Sequence, residues 1–155
     1  MLYMIDISVK KLLFGDPELA KAFDIRKKVF VDEQNCPAEI EYQNDDVSVH
    51  FLATCNGEPC GAARWRRTEN GIKLERFAVL PLFRKKGVGA HLVKAVLVDL
   101  PPDATHVYLN AQLSAVGFYL PFGFRPVGQQ FEEAGIKHQQ MLFAGRSRTS
   151  MPPAS

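Results

Sequence analysis

The run Arg84-Lys85-Lys86-Gly87-Val88-Gly89-Ala90 sets three cations beside two closely spaced glycines. Without Cβ atoms at 87 and 89, backbone N–H groups can come close to a ligand. A helix starting here adds unsatisfied N–H groups and the positive end of its dipole. That combination favours a phosphate or a pyrophosphate, and Arg84, Lys85 and Lys86 bring charge for further phosphate oxygens. Two nucleotide motifs are excluded. A P-loop ends in Gly-Lys-Ser/Thr, whereas Gly89 is followed by Ala90. A dinucleotide fingerprint needs a third glycine where Leu92 stands. For these residues alone, a glycine-rich helix cap with solvated lysines is the plain alternative.

Other chemistry is sparser. In Arg64-Trp65-Arg66-Arg67 strand alternation puts Arg64 and Arg66 on one face, which makes either an anion site or a solvated strand edge. Cys36, Cys55 and Cys60 lack the paired spacing of a zinc site, so no metal is expected and reduced thiols are. His50, His91 and His106 show no partner pattern. His138 reads as a structural hydrogen-bonder or a base.

The chain's 155 residues, 46% hydrophobic and 23% charged, describe one globular domain. A formal charge of +2 argues against a nucleic-acid partner by bulk charge. The first six residues lack the basic region of a signal peptide, and residues 88–100 are too short and too polar for a membrane span. A cytoplasmic protein is the expectation, folded over 1–145 with a frayed tail over 146–155.

The elements that must position the turn follow from periodicity and punctuation. A strand is expected over 3–9. Asp16-Pro17 opens a helix over 17–31, with Arg26, Lys27 and Lys28 on its polar face, and 35–46 reads as a loop. Strands over 49–55, 59–67 and 72–79, joined at Asn56-Gly57 and Asn70-Gly71, form an antiparallel meander. A helix over 88–100 stops at Pro101-Pro102. A strand over 105–111, a short helix over 114–120 and a hairpin of 125–132 with 137–143 complete the chain. The fold class is α+β: a mixed, mostly antiparallel sheet flanked by helices, with one parallel β-α-β step. Such a step brings a strand C-terminus and a helix N-terminus together, a common ligand crevice.

Arg84-x-x-Gly87-x-Gly89 matches the Gln/Arg-x-x-Gly-x-Gly/Ala signature of the GNAT superfamily of N-acetyltransferases. Glu75-Arg76-Phe77-Ala78-Val79-Leu80-Pro81 resembles the strand leading into that signature, and Ala115-x-x-Phe118-Tyr119-x-x-x-Gly123-Phe124 resembles the family's fourth-helix pattern. Arg26-x-x-Val29-Phe30-Val31-x-Glu33-Gln34 is similar to its first-helix segment, and Gly135-Ile136-x-His138-x-x-Met141 to the ElaA-like branch.

The resemblance implies an acetyl-CoA-dependent N-acetyltransferase. The pantetheine arm would pair with the backbone at Phe77, Ala78 and Val79, and the pyrophosphate would lie on Arg84, Lys85, Lys86, Gly87, Val88, Gly89 and Ala90. Phe118 and Tyr119 would border the cofactor, with Tyr119 protonating the departing thiolate. Packing of the helix on the sheet is the other reading of that pair. Gln112 stands where the family often has Asn, so its amide is expected to reach the pantetheine. A base must free the acceptor amine of its proton. Glu75 is the first choice, sharing side-chain parity with Phe77 and Val79, and ion pairing with a nearby arginine is its alternative; Glu33 and Glu41 follow. The implied partner is a small-molecule or peptide amine, the implied assembly a homodimer, and a non-catalytic acyl-CoA-binding module is the alternative function.

Overall fold

The computed structural model describes residues 5–145. The tail expected over 146–155, and the start of the strand expected over 3–9, lie outside the described residues. Strands β1 (Ile7–Leu12), β2 (Ser48–Cys55), β3 (Glu58–Thr68) and β4 (Gly71–Val79) form an antiparallel meander. β5 (Val107–Gln112) joins β4 in parallel, and β8 (Ile136–Phe143) joins β5 antiparallel. The closing strand expected over 125–132 is broken into β6 (Phe124–Pro126) and β7 (Phe131–Glu133), both paired with β8. The fold is therefore mixed, mostly antiparallel, with its parallel step where the sequence puts it.

Two helices cover opposite faces. α1 (Leu19–Arg26) buries Leu19, Ala22 and Ile25 against Leu52, Ala62 and Ala78. α2 (Ala38–Glu41) is a single turn inside the segment read as loop. α3 (Val88–Asp99) buries Val88, Leu92, Val93 and Val96 against Ala53, Ala63, Trp65 and Leu74. Alternation along each strand thus feeds two cores, one per helix. Burying each of these larger side chains contributes about 1.5–3 kcal/mol. The residue before Pro101 is driven extended, which ends α3: Leu100 has ψ 144°. α4 (Val116–Tyr119) is one turn between two 3₁₀ turns, shorter than the helix expected over 114–120.

Three local departures shape the cleft. First, the helix expected over 17–31 continues past Arg26 as a π-helix, Lys27–Glu33. Second, Arg26 is fully buried rather than on a polar face, because Glu41 and Asp45 meet its guanidinium. Third, Arg64 pairs with Glu75 and Ala62 with Ala78, so Arg76 and Phe77 together oppose Ala63. Arg76 takes φ 61° in this bulge. A bulge adds one residue and reverses the side-chain alternation beyond it. Glu75 therefore shares the α1 face with Arg64, whereas Phe77 and Val79 turn to the α3 core. The expected common parity of Glu75, Phe77 and Val79 does not hold. β4 pairs with β5 only over Ile72–Leu74; past the bulge the two strands part.

Candidate active site

The turn at the end of β4 is built by backbone geometry. A 3₁₀ turn, Pro81–Phe83, leads into extended Arg84, Lys85 at φ 64° and Gly87 at φ 90°. Gly87 is the N-cap of α3, in a left-handed conformation that glycine adopts without a Cβ penalty. Among the described residues no side chain caps this helix, so its first N–H groups stay available. A Cβ on Gly87 would meet nothing closer than His91 Nδ1 at 3.9 Å, while one on Gly89 would come within 3.1 Å of the Phe118 ring. Gly87 therefore faces open space, whereas Gly89 lies closely under the Phe118 ring, where only a residue without a Cβ fits unforced.

The three cations of the turn do not act alike. Arg84 donates from both Nη atoms to Glu33, at 2.9 and 2.8 Å, and from Nε to the Val79 carbonyl. It ties the turn to the π-helix. Lys85 and Lys86 are exposed, and Lys86 lies 5.8 Å from the centroid of the Phe83 ring. Glu33, the second candidate base, is held below the usual carboxylate range by its Arg84 hydrogen bond.

A cleft of about 380 Å³ opens where β4 and β5 separate. Glu75, Phe77, Gln112 and Tyr119 all line it. Ala78 packs its side chain on the α1 face instead, and Gly87 to Ala90 sit at the end of β4, outside the cleft walls. Tyr119 packs edge-on against Phe77, Phe118 and Phe124 at centroid distances of 5.0–5.9 Å. Its hydroxyl has no hydrogen-bond partner among the described residues, and burial pushes its ionisation well above that of a free tyrosine. Gln112 donates to the Gln34 side chain at 2.8 Å, joining β5 to the end of the π-helix. Asn110, two residues earlier, lines the cleft with a buried, unpartnered Oδ1.

One wall carries a buried charge network. Arg26 bridges Glu41 and Asp45, and Asp45 also accepts from Arg64 at 2.6 Å. Arg64 and Arg66 donate to Glu75 Oε1, and Lys73 Nζ lies 3.2 Å from its Oε2. Burial alone would raise Glu75, but Arg64, Lys73, Arg66 and Arg76 outweigh it and hold the carboxyl down at about 2. Glu75 is thus an anion near neutral pH and a poor proton acceptor, which counts against its expected use as the base. Glu41 differs: burial raises it despite Arg26, and its Oε2 has no partner among the described residues. His138 bonds the Ile136 carbonyl at 2.7 Å through Nδ1.

The acetyltransferase (GNAT) domain model matches residues 16–144. The chain belongs to the GNAT family. As such it is an acyltransferase, and its relatives place it in the ElaA-like branch. This GNAT chain is 40% identical to the uncharacterized N-acetyltransferase YjcF of Bacillus subtilis over 131 residues, 83% of this chain and 94% of that one. It is 34% identical to ElaA of Escherichia coli over 130 residues, 78% of this chain and 84% of ElaA. The ElaA crystal structure superposes with a TM-score of 0.76 at 30% identity, covering 88% of this chain and 99% of that one. An acyl-CoA N-acyltransferase from Pseudomonas aeruginosa superposes with a TM-score of 0.78 at 27% identity, over 90% and 100% of the two chains. Among the described residues of the GNAT chain, no helix is long and apolar enough to cross a membrane.

From the sequence alone Asn110 and Gln34 have no assigned role, and the Arg26–Glu41–Asp45 links are invisible. The polar residue at 110 inside an otherwise apolar strand was a usable signal. The others join residues 15 to 78 positions apart, which no local period reports.

Proposed function

We propose that this acyltransferase moves an acetyl group from acetyl-CoA to a primary amine by direct attack. The observation that carries the reading is the parting of β4 from β5 past Leu74, which leaves the β4 edge at Phe77 to Val79 unpaired by β5 beside Tyr119. An amide-bearing arm can pair with such an edge as an added strand would. The uncapped α3 N-terminus, with Lys85 and Lys86 near it, suits the pyrophosphate at the arm's other end. Acetyl-CoA supplies the activated thioester.

The chain's own residues then divide the work. Backbone N–H groups near Val79 face the thioester carbonyl and stabilise its developing negative charge. Tyr119 stays protonated in its apolar surroundings, so its hydroxyl is a proton donor for the thiolate that leaves. Glu41, the buried carboxyl whose affinity for a proton is raised, takes the proton of the attacking amine. Glu75 holds Arg64, Arg66 and Lys73 in place. Direct transfer needs no thiol nucleophile. Cys60 is buried with its thiol pushed up to about 11, and Cys36 is also raised by burial. Initial-rate kinetics with acetyl-CoA and an amine panel test this: intersecting lines with stoichiometric thiol release are expected. Parallel lines with acetyl left on a cysteine would overturn it.

A further inference from the structure

The chemistry of the acceptor is written in an imbalance of charge in and behind the cleft wall. Five cations, Arg26, Arg64, Arg66, Lys73 and Arg76, share three carboxylates, Glu41, Asp45 and Glu75. Arg66 and Lys73 stand directly opposite each other in the β3–β4 register. Like charges in that relation destabilise a sheet. Glu75 lies between them, but it also serves the fully buried Arg64, so one carboxylate faces three cations.

Donors remain after this pairing. Arg66 uses only Nε on Glu75, and its two Nη atoms have no partner among the described residues. Arg76 uses Nε and Nη2 on the Glu41 and Ile40 carbonyls and leaves Nη1. Arg66, Lys73 and Arg76 all line the cleft, and their side chains are only 19%, 16% and 23% exposed. They are held by Glu75 and by backbone rather than waving in solvent, which preorganises them for a planar anion. The remaining lining carboxylate, Glu133, sits on the β7 side, 3.8 Å from His138.

These cations are misplaced for the phosphates of coenzyme A. The pyrophosphate turn follows the C-terminal end of β4, whereas Lys73 is near its start, six residues before Val79. At strand rise that is about 20 Å along the strand. Tyr119 and Phe77 lie between. An anion held by Arg66, Lys73 and Arg76 belongs to the molecule that enters from the opposite end.

Building on the acetyl-transfer reading, we propose that the acceptor is an amine bearing its own compact anionic group, a carboxylate or a phosphate, anchored by Arg66, Lys73 and Arg76. The anion neutralises the surplus charge, and anchoring it orients the amine toward the thioester.

The test compares matched acceptors with acetyl-CoA: amino carboxylates, their uncharged amides and the corresponding aminoalkyl phosphates. The expected result is a kcat/KM for an anionic member at least tenfold above its amide. Arg66→Gln and Lys73→Gln should each erase roughly tenfold or more of that preference, chiefly through acceptor KM, since a charge-assisted hydrogen bond is lost. Their affinity for acetyl-CoA should stay unchanged, and Arg66→Lys should recover part of the preference. A carboxylate taken over a phosphate, or the reverse, identifies the source of the anion. Neutral amides turned over as well as the acids overturn the anionic acceptor while leaving acetyl transfer intact, as does an undiminished preference in both Gln variants. Failure of acetyl-CoA to bind at all overturns the transfer reading, and this proposal with it.

Discussion

Tyr119 and Glu75 are both buried ionisable groups, yet their surroundings fit them for opposite tasks. Tyr119 is enclosed by Phe77, Phe118 and Phe124 with no charge to favour its phenolate. It keeps its proton until a stronger base arrives. Tyr119→Phe should lower kcat by about a hundredfold, the lower end of what a positioned general acid supplies, with acetyl-CoA affinity unchanged in a titration. Unchanged turnover would leave Tyr119 a packing residue. Glu75 is surrounded by cations and is the converse case. Its folded value near 2 lies below the ordinary 4.5, so its stabilisation is present above pH 4.5 and drains away as pH falls toward 2. Glu75→Gln should destabilise the protein by about 3–5 kcal/mol near neutral pH, because it strands buried arginine charge. Melting curves should show the gap between wild type and variant closing on acidification. A constant gap from neutral pH down to 3 would refute the shift.

At the scale of elements, the cleft comes from irregularities laid over a regular plan. Strand periods, the Asn56-Gly57 turn and the Pro101 stop were legible because each is a local effect of residue type. Asn56 and Gly57 do take positive φ, 51° and 86°. The bulge was not legible: it places an arginine, Arg76, at φ 61°, where no glycine or asparagine advertises the turn. Missing it inverted the expected facing of Glu75 relative to Phe77. The π-helix was hidden similarly, since Leu19, Ala22, Ile25 and Val29 satisfy a helical spacing across its junction. Arg26 looked like a surface residue because its partners are 15 and 19 residues away. The packing that holds α3 under the turn was visible in the same pattern. Leu92→Ala, at a fully buried position, should cost about 2–5 kcal/mol in chemical denaturation. A cost below 1 kcal/mol would mean that α3 is not the anchor described.

For the whole molecule, the parallel β4–α3–β5 step sets a turn with free N–H groups at one end of a cleft and a cationic wall at the other. Of the candidate site, the turn glycines were legible as a local motif, and Tyr119 was singled out only by the resemblance to the family's fourth-helix pattern. The wall was not legible, because it exists only when α1, α2, β3 and β4 meet. The arrangement needs no thiol intermediate, so Cys36→Ser, at the cysteine that lines the cleft, should keep within about threefold of wild-type kcat/KM, well under the tenfold that 1.4 kcal/mol represents. Loss of activity together with ping-pong kinetics would contradict direct transfer. In the proposed function, coenzyme A is held by the backbone at the start of α3, around Gly87 and Gly89. Calorimetric titration of acetyl-CoA into wild type and Gly89→Trp tests this most directly, since an indole at 89, where even a Cβ comes within 3.1 Å of the Phe118 ring, would crowd the start of α3 and obstruct its first N–H groups. Saturable binding to wild type and none to a variant that still melts cooperatively is the predicted result. Equal affinity in both proteins would contradict the account.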